Sequence, residues 1–248
     1  MKKLLLSGIT AVALMAAGTA QAGGLALTGE TGVARTPLAM SLKPMQLAVA
    51  VDYLSSDALF VPVRLELGLP LGFEVGGAYW YVDISDTTIW SANAKWVLPE
   101  FVKGLGLAVG GHYNGQTVMN TDSNGYDLYS AVTYVAALGE GMALIPSAGV
   151  RYKAFTGDND VNGVTFFGSL LFKAGMFAVG GEFESVDEDL SGANVDGSYW
   201  VGARVFLNPM ITLQAGYANN ANLSDDSRED PADGVFHLGV QFAFGGGK

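Results

Sequence analysis

Apolar and polar side chains alternate along most of this chain, and the alternation is most regular near the C-terminus. In the stretch 234–244 every second residue is large and apolar: Phe236, Leu238, Val240, Phe242 and Phe244. The positions between them are small or polar and include His237 and Gln241. A strand that crosses a bilayer needs about 9–11 residues of this kind, because only one of its faces meets hydrocarbon. The pattern therefore predicts a transmembrane β-strand, followed by a tail at 245–248.

Eleven further stretches repeat the alternation and are predicted as strands: 46–53, 61–69, 73–82, 89–97, 104–113, 127–136, 145–155, 164–172, 177–185, 199–207 and 211–218. With the terminal strand they make about twelve, and bacterial outer-membrane barrels have an even number. Large aromatic residues share the face of the apolar runs, which favours a membrane barrel over a soluble sandwich or lipocalin-like barrel. We therefore predict an all-β fold, a closed antiparallel transmembrane β-barrel of up-and-down topology over residues 45–244.

The connections between the predicted strands alternate in length. Four longer, polar connections, at 114–126, 156–163, 186–197 and 219–234, alternate with short ones. This arrangement is typical of barrels with short periplasmic turns and longer external loops. Pro62 interrupts the second strand, because proline removes a hydrogen-bond donor from a ladder. We expect that strand to start after Pro62 or to carry a bulge there.

The first 22 residues have the features of a signal peptide. Lys2 and Lys3 form a positive region, residues 4–18 are mostly apolar, and residues 20–22 read Ala-Gln-Ala, a cleavage site. The alternative, a transmembrane anchor, needs a longer apolar run. We expect export of the chain and cleavage after Ala22.

Residues 23–44 precede the first strand and contain turn-forming glycine and proline without a clear period. Thr31, Gly32, Thr36, Pro37 and Ala39 match the Gly-x-Thr-Gly-Leu-x-x-Thr-Pro-Thr-Ala opening of YjbH-type outer-membrane proteins, with Glu30 at the first variable position. Leu38 replaces the usual threonine. The segment resembles that family, as the aromatic end of the last strand resembles the C-terminal strand of Gram-negative outer-membrane barrels. The resemblance implies an accessory role in envelope or polysaccharide export. The segment has two possible placements, the barrel lumen or mouth and a loose periplasmic lead-in.

The positions that face away from the apolar side carry charges of both signs. The residues predicted to face the lumen are Arg64, Glu66, Glu74, Lys95, His112, Arg151, Lys153, Glu182, Glu184, Arg204 and His237. Their near-balance favours salt-bridge networks that fill a narrow barrel, since wide aqueous channels need about 16–18 strands. For the two histidines we expect hydrogen bonds in the lumen rather than catalysis or a metal site.

Acidic residues dominate the charge of the chain. Removal of the signal peptide takes away Lys2, Lys3 and no acid, so the formal net charge falls from −11 to −13. Such a charge argues against nucleic acid as a partner. Most of the net charge falls in the longer loops, which are candidate sites for divalent cations. In one loop, Asp158, Asp160 and Asn162 match the opening of a calcium-binding loop, although the acid that should complete it is absent.

Two functional interpretations follow from these patterns. The first is an outer-membrane barrel with a structural role or a narrow channel, accessory to export as the resemblance implies. The second is a surface barrel whose acidic external loops bind a partner or divalent cations. Neither interpretation needs a cofactor, and no enzymatic set of residues is evident. The chain has no cysteine for thiolate or disulfide chemistry. We expect contacts with outer-membrane lipid and lipopolysaccharide.

Overall fold

Alternating apolar and polar residues form the twelve strands of the barrel wall. The computed structural model describes residues 24–26, 31–33, 36–55, 59–82, 87–118, 121–156, 161–185, 197–218 and 234–246. The strands are β1 (Gln46–Ser55), β2 (Leu59–Gly68), β3 (Phe73–Val82), β4 (Thr88–Val97), β5 (Leu105–Val118), β6 (Thr121–Tyr134), β7 (Met142–Thr156), β8 (Val161–Ala174), β9 (Phe177–Ser185), β10 (Gly197–Asn208), β11 (Ile211–Ala218) and β12 (Val235–Gly245). Within these ranges, no helix has the length and apolar character needed to cross a membrane.

Each strand pairs antiparallel with the next one along the chain, and the last strand returns to the first. β12 pairs with β1 from Phe236 opposite Ser55 to Gly245 opposite Gln46. A short strand, Ala136–Gly139, follows β6 and pairs with the start of β7. This closed antiparallel barrel of twelve strands confirms the predicted fold class. We call the end where β1 begins and β12 ends the proximal end, and the opposite end the distal end.

Two of the predicted long loops, 114–126 and 156–163, contain residues that belong to strands. β5 and β6 pair as far as Val118 opposite Thr121, and β7 and β8 pair as far as Phe155 opposite Val161. Asn162 lies opposite Ala154 in this second hairpin rather than in a loop. Where a strand protrudes from a bilayer, both of its faces meet water. Polar residues in the protruding part therefore do not end the strand. The four strands β5–β8, of 14 or 15 residues each, therefore extend the wall at the distal end.

The expectation for Pro62 is wrong. β2 begins at Leu59, before the proline, and Pro62 lies opposite Trp80 in an unbroken pairing with β3. On the β1 side, the pairs Val51–Val63 and Leu54–Phe60 keep one register, so there is no bulge between them. Pro62 has no N–H to donate, and the pairing with β1 is interrupted only at the two β2 positions between Phe60 and Val63.

The outer face of the barrel is apolar around its whole circumference. Side chains such as Phe166, Phe236 and Leu238 are 64%, 65% and 59% exposed. Exposed aromatic residues lie at both ends of the wall. At the distal end they are Tyr53, Tyr81, Trp90, Tyr113, Tyr152 and Tyr199, and at the proximal end Phe73, Trp96, Phe172, Phe177 and Phe244. This is the surface that a bilayer requires, with amphipathic rings at the level of the headgroups.

Several sequence predictions fall outside the described residues. They include the signal peptide with its cleavage site after Ala22, the positions Asp158 and Asp160, and most of the acidic loops. These stay predictions, as does the binding of divalent cations or a partner by the loops.

Candidate functional site: a closed lumen

The residues predicted to face the lumen all lie on the inner face of the wall. Ten of them are less than a tenth exposed: Arg64, Glu66, Glu74, Lys95, His112, Arg151, Glu182, Glu184, Arg204 and His237. Lys153 is the most accessible, with 18% of its side chain exposed. Charged groups along a water-filled channel would be open to solvent, and these are not. The lumen beside these residues is therefore occupied by other parts of the protein rather than open to water.

The chain ahead of β1 runs through this interior. We call residues 36–43 the inner segment. Thr36 and Leu38 are fully buried, and Leu42 is 5% exposed. The segment leads into β1 through an exposed turn at Pro44 and Met45. Of the two placements considered for residues 23–44, the described part takes the lumen.

Oxygen atoms of the wall accept hydrogen bonds from the inner segment. Glu182, on β9, accepts from the main-chain N–H of Thr36 at 3.0 Å and from its hydroxyl at 2.8 Å. Thr133, on β6, accepts from the N–H of Ala39 at 2.8 Å. The hydroxyl groups of Thr133 and Ser147 lie 2.9 Å apart, which links this contact to β7.

A buried ion pair binds the other half of the segment. The ammonium group of Lys95, on β4, lies 2.7 Å from the carboxylate of Glu74, on β3, and both side chains are fully buried. Lys95 also donates to the carbonyl oxygens of Leu38 at 3.3 Å and Met40 at 2.8 Å. Glu74 accepts a hydrogen bond from the N–H of Leu42. Lys95 and Glu74 thus each contact the other's opposite charge and at least one main-chain group of the inner segment.

Two arginines hold the residues that precede the inner segment. Arg204, on β10, donates to the carbonyl oxygens of Val33 at 2.6 Å and Gly32 at 3.2 Å. Arg64, on β2, donates to the carbonyl oxygen of Ala26 at 2.8 Å. Guanidinium groups suit this role because they stay charged and present several donors in a fixed plane.

Glycines of the inner wall lie where the main chain of the segment passes closest. A Cβ atom on Gly106, in β5, would overlap the carbonyl oxygen of Ala39. A Cβ atom on Gly68, at the end of β2, would overlap the carbonyl oxygen of Lys43. Only glycine permits so close an approach of two backbones at these positions.

An apolar pocket on the other side of the lumen takes the side chains of Val33 and Leu38. It is formed by Ile145, Leu171 and Trp200, from β7, β8 and β10, and all five side chains are at most 3% exposed. Burial of a leucine or valine side chain contributes about 1.5–3 kcal/mol. The segment is therefore held both by polar contacts and by apolar packing.

His237 takes part in a polar cluster that joins the last strands to the first. Its Nε2 atom lies 2.7 Å from Oδ1 of Asp52 on β1. The side-chain amide of Gln214 donates to the same oxygen at 2.6 Å, and Arg64 forms an ion pair with the other oxygen. These contacts tie β11, β12, β1 and β2 together, which is a structural role for the histidine.

His112 belongs to a second cluster on the opposite wall. Its Nδ1 atom lies 2.5 Å from Asp127, and the guanidinium of Arg151 lies 4.0 Å from the same carboxylate. Arg151 and Lys153 both pair with Glu184, at 3.3 and 2.8 Å. Within the described ranges, no group of three or more acidic or histidine side chains could hold a metal ion.

In the distal part of the lumen, a cluster of apolar side chains lies beside β1–β4. Leu54, Phe60, Val82 and Val235 form a buried cluster, and Trp80 packs against it. Among the described residues, the inner segment thus occupies the proximal part of the lumen and this cluster lies in the distal part.

Sequence reasoning missed the residues that receive the inner segment. The sequence predictions gave no role to Thr133, Gly68 or Gly106. They also did not identify Ile145 and Trp200 as parts of a pocket. The signal was present in the alternation. Glycine or large apolar residues at inward positions of a polar lumen indicate that another part of the chain packs there.

Comparison with known proteins supports the fold class. No family model and no curated protein sequence matches the chain. Among solved structures, KdgM porin aligns with a TM-score of 0.60 at 14% identity, over 80% of this chain and 99% of that chain. NanC porin aligns with a TM-score of 0.56 at 15% identity, over 79% and 98% of the two chains. The chain therefore has the fold of an outer-membrane porin. The resemblance to YjbH-type proteins stays a prediction.

Proposed function

We propose that the protein is an outer-membrane barrel with a narrow, porin-like channel that its own inner segment closes. A continuous apolar surface with aromatic rings at both ends needs a bilayer around it, because apolar patches of this extent are unstable in water. Closed antiparallel barrels with this surface are found in bacterial outer membranes. The predicted signal peptide supports the same location.

The observation that carries this proposal is the placement of the inner segment within the barrel. The wall closes through twelve strand pairings, and the segment belongs to none of them. It can therefore leave the lumen without breaking a ladder of the wall. Its polar contacts are a small set of hydrogen bonds, several of them to charged groups, and each contributes about 0.5–3 kcal/mol net. Contacts of this strength can be broken one after another, as a gate requires.

The solute is a finer proposal. The resemblance to YjbH-type proteins implies a role accessory to envelope or polysaccharide export, and one solved structure of similar fold is described as KdgM porin in complex with disordered oligogalacturonate. The distal part of this lumen carries Arg151 and Lys153, which pair with Glu184 in this structure and are cations of the kind that bind carboxylates. We propose small solutes or extended sugar chains as cargo.

Gly106→Leu should open the channel. Its side chain would take the place of the Ala39 carbonyl and push the inner segment away from β5. The backbone of Gly106 has a conformation that other residues adopt, so the change strains the segment rather than the strand. In planar-bilayer recordings of refolded protein, we expect wild type to be closed for most of the time and the variant to conduct.

Gly168→Leu is the matched control. Gly168 lies on the outer face of β8 between the exposed Phe166 and Leu170, and the nearest atom to an added Cβ is the Ser147 carbonyl oxygen at 3.6 Å. This control should behave as wild type. Heat-dependent migration on gels would verify that each variant has folded. A wild type that conducts continuously, or a folded Gly106→Leu variant that stays closed, would contradict the proposed gate.

A further inference from the structure

We infer that the lumen wall forms a binding site for a polypeptide segment, and that the inner segment is its resident ligand. The inference deepens the proposed gate and rests on it. The wall recognises the segment mainly through features that other peptides of similar shape share. The ligand class is a short peptide that follows the same backbone path and has a large apolar side chain at the position of Leu38.

Five main-chain groups of the inner segment contact buried polar side chains of the wall. The pairs are Thr36 with Glu182, Ala39 with Thr133, Leu42 with Glu74, and Leu38 and Met40 with Lys95. All four wall residues are more than nine-tenths buried. Every residue has a main-chain carbonyl that can accept a hydrogen bond. Every residue except proline also has a main-chain N–H that can donate one. Apart from the bond of the Thr36 hydroxyl to Glu182, these contacts therefore depend on the path of the backbone rather than on a particular sequence.

The shape of the wall supports the same conclusion. Gly68 and Gly106 leave room for the main chain where a side chain would block it. Leu38 is fully buried in the pocket of Ile145, Leu171 and Trp200, whereas Ser41 and Lys43 are only half-buried. In peptide recognition by strand addition, main-chain hydrogen bonds give affinity and pockets give selectivity. Here polar side chains of the wall bind the main chain of the segment, and one apolar pocket selects the side chain at position 38.

An exchange experiment on the full chain tests this inference. A protease site is inserted between Pro44 and Met45, which are exposed, and the protein is refolded before it is cut. Cutting removes the covalent link and with it the high effective concentration of the segment, so we expect the segment to dissociate. The probe is a fluorescein-labelled octapeptide with the sequence of residues 36–43. Its binding to the cut protein is followed by fluorescence anisotropy.

Three altered peptides separate main-chain recognition from other causes of binding. N-methylation at Ala39 removes the N–H that donates to Thr133 and should weaken binding on the order of tenfold or more. Leu38→Ala should also weaken binding, because it empties the pocket. Ser41→Ala is the control and should stay within about twofold. Equal affinity of the N-methylated and unmodified peptides would overturn the inference.

A segment that stays bound after cutting is tested in a second way. Ala39→Pro in the full chain removes the same N–H group. The cut variant should release its segment about tenfold faster than the cut wild type, measured as fragment lost during gel filtration. Equal release rates would overturn main-chain recognition.

Conductance of the cut protein separates this inference from the proposed gate. A peptide that binds and closes an open, cut channel supports both. A peptide that binds as predicted to a cut protein that never conducts keeps the binding site and contradicts the gate. A cut protein that conducts, but does not bind the peptide, overturns the binding site and keeps the gate.

Discussion

Val240→Arg should lower the free energy of unfolding by about 2–4 kcal/mol, the cost of an arginine near the middle of a bilayer. Val240 lies in the middle of β12, opposite Leu213 on β11 and Val51 on β1. All three face outward, and Val51 and Leu213 are exposed. An arginine there would meet hydrocarbon on every side. Reversible urea unfolding in lipid vesicles measures the effect.

Val240→Leu is the matched control for this prediction. It keeps an apolar side chain at the same position, so we expect a change within about 0.5 kcal/mol. The difference between the two variants reports the cost of a charged, hydrogen-bonding side chain at this position. If they unfold at the same urea concentration, β12 does not present Val240 to lipid, and the assignment of the outer face is wrong.

Lys95→Met should cost about 3–5 kcal/mol, as the loss of one partner from a buried ion pair commonly does. The change removes the ammonium group 2.7 Å from Glu74 and the donor to the carbonyl oxygens of Leu38 and Met40. Methionine is similar in length, so packing changes little. The measurement is urea unfolding in vesicles, with closure of the channel as a second readout.

Glu74→Gln combined with Lys95→Met is the comparison that separates charge from packing. The double variant has no buried carboxylate left at position 74, so it should recover a large part of the loss. Glutamine keeps an oxygen that can accept from the N–H of Leu42. A single Lys95→Met variant as stable as the double variant would show that Glu74 is not a buried charge in the folded protein.

The wall of the barrel could be predicted because its information is local. Along β3, β9 and β11, the alternation of side chains indicates which side most residues face, and the predicted ranges of these three strands equal those observed. The same alternation placed charged residues such as Arg204 and Glu182 on the inner face, where the structure has them. An alternation with a period of two can be recognised from neighbouring residues alone, so it predicts the faces of a strand without information on distant residues.

The ends of the longest hairpins follow a different rule. Asn114, Gln116 and Asn124 have the polarity of a loop, yet they lie in the paired part of β5 and β6. Beyond a bilayer, neither face of a strand needs to be apolar, because water surrounds both. Polarity therefore does not distinguish a protruding strand from a loop, and pairing between the two strands decides the outcome.

The inner segment could not be predicted because its contacts are distant in sequence and made by its main chain. Thr36 and its partner Glu182 are 146 positions apart. N–H and carbonyl groups are the same in every residue, so the sequence of the segment carries little sign of its binding. The clearer sign is in the wall, where Gly106 and Ile145 occupy inward positions.

The most direct test of the account is the accessibility of the inner segment in the folded barrel. The chain has no cysteine, so Leu38→Cys introduces a unique thiol at a fully buried position, and Phe101→Cys introduces one at a position that is 64% exposed. Each variant is refolded into vesicles and treated with a membrane-impermeant maleimide. We expect Phe101→Cys to react at once, and Leu38→Cys to react only after unfolding or when combined with Gly106→Leu. Equal reaction rates for the two single variants would show that the segment lies outside the lumen.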